Sequence, residues 1–268
     1  MITPVVQRWR ERRDLYRPAG ETIVTAHYEV APIADRAAKL FVEAHHYSGT
    51  FPAARFCFGL FNPLLVGVAV FSHPANDRVI TSLLPGTAIE SVELGRLVLL
   101  DAVPANGESF FVARCFELLR RESLIGVVSF SDPVARTTAG GATIFKGHAG
   151  VVYQALNAVY TGRGTARTLA LLPDGGVFSA RAAQKIRAGE RGMAYAAEQL
   201  VRAGAPRIDL DRASPEERRA WLREAIARVT RPLRHPGNFR YAWTLDRRTR
   251  RHLPPSQPYP KLDPRRGS

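Results

Sequence analysis

The chain has 268 residues, 46% of them apolar, and a formal net charge of +14 at pH 7. This length and composition can bury a large core, and we expect one elaborated domain rather than two small ones. No apolar run approaches the length of a bilayer-spanning helix, and the N-terminus lacks the basic-then-apolar layout of a secretory signal. We therefore expect a soluble, cytoplasmic protein and exclude a membrane-spanning one.

The positive charge is concentrated at the two ends of the chain. Residues 1–17 carry five basic and two acidic groups, residues 18–206 carry 17 and 15, and residues 207–268 carry 16 and seven. Arginine dominates the basic groups, and its planar guanidinium suits phosphate. Basic ends around a nearly neutral middle indicate a nucleic-acid partner. A general arginine bias of the source genome would give the same composition, and the sequence leaves both explanations open.

The first half of the chain favours antiparallel strands. After a basic arm over residues 1–22, the pattern predicts a strand over 28–31 and a helix over Asp35–His45. Two strands over 55–61 and 64–71 follow, joined as a hairpin at Asn62-Pro63.

The middle of the chain alternates strands and helices. An apolar strand over 91–100 leads through a turn at 104–109 into a helix over 110–120, and a strand over 124–130 leads into a helix over 147–160. This order predicts parallel pairing of the two strands. Beyond it we expect a strand over 168–172, helices over 180–202 and 214–229, and a strand over 239–245. The two cysteines, Cys57 and Cys115, are expected to be core thiols.

Polar residues gather at the ends of these apolar elements. In the turn, Asn106, Gly107 and Ser109 stand where unpaired N–H groups at a helix start suit a phosphate or carboxylate, although Asn106 or Ser109 could simply cap the helix. On the second helix, Tyr153, Asn157 and Tyr160 are spaced to form one stripe. The stripe indicates either the wall of a site or a solvated helix face.

Ionisable residues near the strand ends form a second set. Asp132 directly follows the strand over 124–130, His148 opens the next helix, and His46 and Tyr47 lie in the early loop. Two histidines and a carboxylate can make a facial iron site, a general base with orienting partners, or separately hydrogen-bonded groups. Spacing alone does not choose among the three.

The overall layout resembles the α/β fold of the GNAT acyltransferases, with a mixed sheet and here a helical, basic C-terminal extension. GNAT enzymes that use coenzyme A carry Arg/Gln-x-x-Gly-x-Gly/Ala at the turn, whereas this chain has Pro104-Ala-Asn-Gly-Glu-Ser109. The closer resemblance is to the Mom family of phage DNA-modification proteins. Its matching segments run in order along most of residues 40–260: His46-Tyr-Ser-Gly49, Glu93-Leu-Gly-Arg-Leu97, Asn106-Gly-Glu-Ser109, Ser129-Phe-Ser-Asp-Pro133, Gly147-His-Ala-Gly-Val-Val-Tyr-Gln-Ala-Leu-Asn157 and His235-Pro-Gly-Asn238.

The resemblance implies an enzyme that converts the exocyclic amine of adenine in double-stranded DNA to a carbamoylmethyl derivative, which protects the DNA from restriction. It implies a GNAT-like catalytic domain over residues 23–245, a basic tail over 246–268 and an iron requirement, and it leaves the carbon donor open, an acetyl-CoA-like compound included.

The same resemblance implies roles for individual residues. Asp132 and His148 transfer protons or, with His46, hold the metal. Tyr153 acts as an acid or stacks on the flipped adenine. Tyr47 and Tyr160 are expected to stack on it too, and Tyr47 counts among the catalytic candidates. The donor is bound by Arg96, Asn106, Gly107, Ser109 and Asn157, with Ser109 also catalytic. The phosphate contacts are assigned to Arg247, Arg248, Arg250 and Arg251 from the positive charge of the tail and not from the resemblance.

Two functions of other classes remain compatible with the sequence. One is an N-acetyltransferase that uses acetyl-CoA on a small amine or peptide and ignores DNA. The other is a non-catalytic DNA-binding protein. The basic tail counts against the first, and the polar groups at strand ends would be superfluous in the second.

Overall fold

The computed structural model describes residues 22–74 and 76–261, together with the backbone of two short strands at Val5–Val6 and Arg17–Pro18. The remainder of the predicted arm over residues 1–22 and the end of the predicted tail lie outside the described residues. The chain divides into two compact units: unit 1 comprises residues 1–133, 147–164 and 238–268, and unit 2 comprises residues 134–146 and 165–237. The single domain expected over residues 23–245 does not follow this division.

The strands, in chain order, are β1 (Val5–Val6), β2 (Arg17–Pro18), β3 (Glu29–Pro32), β4 (Ala54–Asn62), β5 (Leu64–Ser72), β6 (Ser91–Leu99), β7 (Gly126–Ser131), β8 (Arg136–Thr137), β9 (Thr143–Phe145), β10 (Val159–Arg163), β11 (Arg167–Leu171), β12 (Val177–Phe178), β13 (Arg231–His235) and β14 (Phe239–Thr244). The helices are α1 (Asp35–His45), α2 (Arg78–Thr81), α3 (Gly107–Arg121), α4 (Val151–Ala155), α5 (Ala180–Ala188), α6 (Met193–Arg202), α7 (Pro215–Val229) and α8 (Arg247–Arg250), with short 3₁₀ turns at Thr25–His27 and Ala88–Glu90. Among the described residues, no helix is both long and apolar enough to cross a membrane.

Unit 1 is built on a seven-stranded mixed sheet in the order β10-β14-β7-β6-β5-β4-β3. Strands β3 to β6 form an antiparallel meander, and β6 and β7 are parallel neighbours joined through α3. A parallel neighbour requires a crossover, and the strand–helix–strand order of the sequence supplies it. The predicted GNAT-like α/β arrangement, with an antiparallel opening and a parallel centre, is confirmed.

Both faces of this sheet are covered. On one face, α3 buries Phe111, Cys115 and Leu119 against the sheet, and on the other α1 buries Ala38 and Val42. Each large apolar side chain so buried contributes about 1.5–3 kcal/mol. Cys57 and Cys115 are buried free thiols, and burial raises the pKa of the Cys57 thiol to about 12.

The helix predicted over residues 147–160 is much shorter in the structure. Helix α4 ends at Ala155, Asn157 takes a left-handed φ of 56°, and the chain then enters β10, which pairs with β14. Tyr153 is therefore buried on α4, Asn157 is exposed in a turn and Tyr160 belongs to a strand. The predicted stripe of Tyr153, Asn157 and Tyr160 is wrong because these residues do not share one helix.

The described part of the C-terminal tail packs along β10, which is the last strand of the sheet. Tyr160 N donates to Ser256 Oγ at 3.2 Å, and Gln257 N donates to Tyr160 O at 3.0 Å. The hydroxyl of Tyr259 donates to Ala158 O at 2.7 Å. These bonds satisfy backbone groups that an edge strand would leave unpaired. Residues 256–260 are called the strap below.

Unit 2 combines a three-stranded antiparallel sheet in the order β12-β11-β13, the β8–β9 hairpin and helices α5, α6 and α7. Ile186, Leu200 and Leu222 lie at the centre of its apolar core. The single helix predicted over 180–202 is two helices, because Gly189 and Gly192 take positive φ values of 66° and 89° and break the helical path.

The start of α7 matches the sequence pattern. Ser214 Oγ accepts from Glu217 N at 3.2 Å, and the Glu217 carboxylate accepts from Ser214 N at 2.7 Å. The helix predicted over 214–229 is therefore confirmed, together with its capping box.

Candidate functional site

The central feature of unit 1 is a gap between its two parallel strands. Strands β6 and β7 pair only from Ser91 to Glu93 with Gly126 to Val128. Beyond that point β6 continues beside β5 and β7 continues beside β14. Ser129 Oγ donates to Leu94 O at 2.9 Å where the strands separate. Strands that diverge in this way leave backbone groups and side chains to line an opening in the sheet.

A β-bulge decides which side chains of β6 lie beside the gap. Val70 pairs with Arg96 and Phe71 with Leu94, so Gly95 is the extra residue. A Cβ added at Gly95 would lie 2.7 Å from Ser72 Oγ, which leaves no room for a side chain. Bulges re-aim the residues around them, and here the bulge places the side chains of Glu93 and Arg96 on the same face of the sheet.

Arg96 is held in place by the loop that follows α1. Its Nε donates to Thr50 O at 2.9 Å, its Nη2 to Thr50 Oγ1 at 2.8 Å and its Nη1 to Gly95 O at 2.6 Å. Burial lowers the pKa of the guanidinium, and the charges of Tyr47, Glu93 and Tyr153 oppose this shift. The guanidinium is therefore a fixed cation close to the Glu93 carboxyl and to the phenols of Tyr47 and Tyr153.

Tyr153 approaches the gap from the opposite face of the sheet. Its ring packs against Tyr241 and Trp243, with ring centroids 5.3 and 5.6 Å apart. Its hydroxyl hydrogen-bonds Ser129, and the charges of Glu93 and Arg96 also act on it. Because Ser129 gives its own proton to Leu94 O, its oxygen can accept the phenol proton.

The protonation states in the gap follow from burial. Tyr153 is 7% exposed, and burial raises the pKa of its phenol, while the Ser129 hydrogen bond lowers it, Glu93 raises it and Arg96 lowers it. The phenol therefore keeps its proton at neutral pH. Burial also raises the pKa of the Glu93 carboxyl, against the lowering effect of Arg96. A phenol that keeps its proton beside a carboxyl of raised pKa is a suitable pair for general acid–base chemistry.

Two loops converge next to these groups. The rings of His46 and Tyr47 are 4.2 Å apart, and the ring of Tyr47 meets that of His148 edge-on at 6.3 Å. The backbone N–H of His148 donates to Asp132 O at 2.7 Å. The four residues predicted from strand ends and loops, His46, Tyr47, Asp132 and His148, are thus brought together.

Similarity to known proteins agrees with this geometry. A family model described as the Mom protein family matches residues 27–261. The chain belongs to the Mom family. This membership supports a transferase that modifies DNA, and it confirms the resemblance inferred from the sequence segments.

This Mom family chain was also compared with solved structures and with curated proteins. Among solved structures it is similar to a tandem GNAT protein from the clavulanic acid biosynthesis pathway (without AcCoA), with 12% sequence identity and a TM-score of 0.32. That match covers 75% of this chain, which spans 65% of the length of the tandem protein. The search of the curated proteins found no match.

The iron site that the resemblance implied stays a prediction for this Mom family chain. Among the described residues, no group of three or more His, Cys, Asp or Glu side chains is arranged to hold a metal ion. His46 Nδ1 lies 2.8 Å from Ser48 Oγ and accepts from Ser48 N at 3.1 Å, so this nitrogen is engaged inside its own loop. The set His46, Asp132 and His148 is therefore close together without forming a ligand set.

The predicted donor-binding residues fall in different places. Arg96 lies at the gap, whereas Asn106, Gly107 and Ser109 lie at the start of α3 as expected. Asn106 takes a left-handed φ of 66° and its side chain caps no N–H, and a Cβ added at Gly107 would lie 2.5 Å from Val103 Cγ1. This close packing explains the glycine. Asn157 is exposed in the turn after α4, away from the buried face of Tyr153.

Several groups at the site had no role predicted from the sequence. Glu93 and Ser129 line the gap, and Gln154 next to Tyr153 donates to Ala149 O at 3.0 Å and to Tyr241 Oη at 3.3 Å. A signal for Glu93 was present, since it is the only carboxylate in the mostly apolar strand β6. Ser129 carried a similar signal, as a hydroxyl within the run Val-Val-Ser-Phe.

Proposed function

We propose that this Mom family chain transfers a carbamoylmethyl group to the exocyclic amine of adenine in DNA, and that the modification protects the DNA from restriction. The observation that carries the proposal is the hydrogen bond between the Tyr153 hydroxyl and Ser129 where β6 and β7 separate, with the charges of Glu93 and Arg96 acting on the same phenol. It joins a proton donor, a proton acceptor and a fixed cation at one opening of the sheet.

The reaction requires such a set. The lone pair of the exocyclic amine is delocalised into the adenine ring, so the amine is a poor nucleophile and must be held against its carbon donor. A nitrogen–carbon bond forms, the bond between that carbon and its leaving group breaks, and the leaving group keeps the electron pair. The amine loses a proton, and the leaving group takes one up. One acid and one base therefore serve the same step.

Tyr153 and Glu93 are suited to these two roles. Burial raises the pKa of the Tyr153 phenol, so it holds a proton at neutral pH that it can donate to the leaving group. Burial also raises the pKa of the Glu93 carboxyl, which makes it a better proton acceptor for the amine than an exposed carboxylate. Arg96 stabilises the negative charge that develops as the phenol gives up its proton.

The base must also leave the duplex to reach this gap. Enzymes that act on a base atom flip the nucleotide out and stack it against aromatic side chains. Tyr47 is half-buried beside the rings of His46 and His148 and is a suitable stacking partner at the rim. Asp132 and His148, at the C-terminal end of β7, are proposed to bind the polar edge of the flipped base.

Mass spectrometry of nucleosides tests the proposal directly. DNA from cells that express the chain should contain an adenine nucleoside with the added mass of a carbamoylmethyl group, and DNA from cells that express Tyr153→Phe should contain far less. An added acetyl mass on a small amine, with unmodified DNA, would support the N-acetyltransferase instead. DNA that carries no heavier adenine in expressing cells would remove the proposed function.

A further inference from the structure

The turn between α5 and α6 collects cations from two helices of unit 2. It spans residues 189–192, and five basic side chains surround it: Arg181, Lys185, Arg187, Arg191 and Arg218. A Cβ added at Gly192 would lie 3.4 Å from Lys185 Nζ, and one added at Gly189 would lie 3.1 Å from Arg218 Nη2. The turn thus brings together charges that are more than thirty residues apart in sequence. These five side chains are called the basic turn below.

The basic turn contains a single carboxylate. Over residues 180–195 the only acidic residue is Glu190, and Arg181 Nη1 donates to it at 3.1 Å. Arg187 and Arg191 are exposed. Over the same residues there are four cations, Arg181, Lys185, Arg187 and Arg191, so the local charge of this range is +3.

Three other arginines of unit 2, at the end of α6 and just after it, are paired with carboxylates. Arg202 and Arg207 both pair with Glu198, at 3.5 and 3.3 Å, and Arg212 pairs with Asp209 at 3.6 Å. Surface pairs of this kind contribute little stability, but they neutralise charge locally. The basic turn therefore differs from this neighbouring stretch, where each of the three arginines has an acidic partner.

Helix stability explains only part of this excess. Lys185 and Arg187 lie in the last turn of α5, where the helix dipole favours cations. Arg181 lies near the start of α5, where the dipole disfavours a cation, and Arg191 lies beyond the end of the helix. Tyr195, in the first turn of α6 and close to Arg191 in sequence, is 75% exposed. Clustered arginines with an exposed tyrosine are typical of surfaces that contact nucleic acid.

We infer that the basic turn of unit 2 binds the phosphate backbone of DNA. The inference rests on the proposed function, because that function makes DNA the substrate, and it locates a DNA contact outside the gap of unit 1. Exposed guanidinium groups contact phosphates without reading bases, so the basic turn strengthens binding to any sequence.

The test compares two triple variants of the full chain. In the first, Lys185→Gln, Arg187→Gln and Arg191→Gln remove charge from the basic turn. In the matched control, Arg202→Gln, Arg207→Gln and Arg212→Gln remove the same charge from paired arginines of the same unit. Binding of a labelled duplex oligonucleotide is measured by fluorescence anisotropy over a series of salt concentrations, and circular dichroism checks that both variants fold.

We expect the salt dependence to separate the two variants. Each phosphate contact contributes roughly 0.9 to the slope of log affinity against log salt concentration, so the first variant should lose up to roughly three such contributions. The control should keep the slope of the native chain. A third variant, Arg187→Lys with Arg191→Lys, keeps the charge and should keep the slope as well. Equal slopes for both triple variants would overturn the inference.

Nucleoside mass spectrometry measures adenine modification in the same variants and so tests the proposed function separately. If the native chain modifies adenine while the basic-turn variant binds DNA with an unchanged slope, the inference fails and the function stands. If the slope responds while no adenine is modified, the proposed function fails and the DNA contact stands.

Discussion

The gap of unit 1 and the basic turn of unit 2 use arginine in opposite ways. At the gap, Arg96 is half-buried and makes three hydrogen bonds, and its charge lowers the pKa values of Glu93 and Tyr153. At the basic turn, Arg187 and Arg191 are exposed. A charge acts strongly on its neighbours only where water is excluded, whereas an exposed charge is screened by salt within about 8–10 Å.

Because of this difference, proton transfer at the gap and DNA binding at the basic turn can be measured separately by their response to salt. Proton transfer at the gap should respond weakly to salt, because its charges are shielded from solvent. DNA binding through exposed arginines should respond strongly, because each phosphate contact releases counterions. A change in salt concentration should therefore change the affinity for DNA, whereas a substitution in the gap should change the rate of modification.

The largest effect is expected at Tyr153. Tyr153→Phe keeps the ring and removes the hydroxyl, so a proton donor predicts a loss of roughly 10²–10⁴ in the rate of modification. Tyr160→Phe makes the same chemical change in β10 and should modify DNA at close to the native rate. Rates come from nucleoside mass spectrometry of a DNA substrate after fixed times.

Tyr153→Ala distinguishes the acid from a stacking partner. Stacking contributes about 1–3 kcal/mol and needs only the ring, so a stacking role predicts that Tyr153→Phe stays active and only Tyr153→Ala is impaired. If both variants fold and modify DNA at the native level, Tyr153 has no part in the reaction.

The sequence predicted the strands and helices around the gap, but it did not predict how their side chains meet there. The β4–β5 hairpin, the parallel β6–β7 pair and the start of α3 follow local patterns, and each was expected close to its observed bounds. Arg96 and Tyr153 were both predicted as site residues, from family segments. Their meeting depends on the bulge at Gly95, which adds one residue to a period-two pattern. No periodicity shows where such a residue is inserted.

The end of α4 shows a second limit of sequence patterns. Residues 151–160 have helical spacing, yet α4 stops at Ala155 because the chain must turn to supply β10 to the sheet. Asn157 tolerates the positive φ that the turn requires, and asparagine is one of the few residues that do so readily. Tertiary pairing with β14 therefore overrides the local preference for helix.

The second prediction concerns the exposed arginines of the C-terminal segment of unit 1. Arg247, Arg248, Arg250 and Arg251 lie on α8 and directly after it, and all four are exposed. If they bind phosphate, replacing all four with Gln should reduce the slope of log affinity against log salt by roughly 0.9 for each phosphate that the variant no longer binds. The same anisotropy titration as for the basic turn measures it.

This variant sharpens the comparison between the units. Thr249, between these arginines, is buried and bonds to Asp246, so the unchanged Thr249 and Asp246 keep α8 in place and folding is expected to survive. An unchanged salt slope would assign DNA binding to other surfaces and leave the tail arginines without this role.

The third prediction concerns the strap and Gln154. The Gln154 amide donates to Pro260 O at 3.2 Å as well as to Ala149 O and the Tyr241 hydroxyl, so it ties α4 to the strap. Gln154→Ala removes the donor to Pro260 O, while Ala149 O still accepts from the Tyr241 hydroxyl, and it should lower the free energy of unfolding by about 1–3 kcal/mol in urea denaturation. Gln184→Ala, at an exposed position on α5, is the control and should change it little.

Salt again separates this effect from binding. Gln154 is uncharged, so its replacement should leave the salt slope of DNA binding unchanged while it weakens the hold on the helix that carries Tyr153. Native stability in Gln154→Ala would show that the strap is not held through this side chain.

The smallest effect is expected at Glu93, where a substitution in the site should raise the stability of the protein and not lower it. Burial raises the pKa of this carboxyl above its ordinary value of 4.5, so the folded protein binds its proton more tightly than the unfolded chain does. Below about pH 4 both states are protonated and the carboxyl costs no stability. As pH rises above the unfolded pKa towards the raised folded pKa, the unfolded chain loses its proton first and folding becomes less favourable.

Glu93→Gln should therefore unfold at a higher urea concentration than the native chain at neutral pH, and the difference should disappear near about pH 4. The same substitution removes the proposed proton acceptor, so modification should fall while stability rises, as is common where an active site stores an unfavourable charge. Glu122→Gln, at an exposed position after α3, should change neither. A Glu93→Gln variant that is less stable than the native chain at neutral pH would mean that attraction to Arg96 outweighs the cost of burying the carboxylate, and the gap would then be a structural ion pair and not a pair of groups prepared for proton transfer.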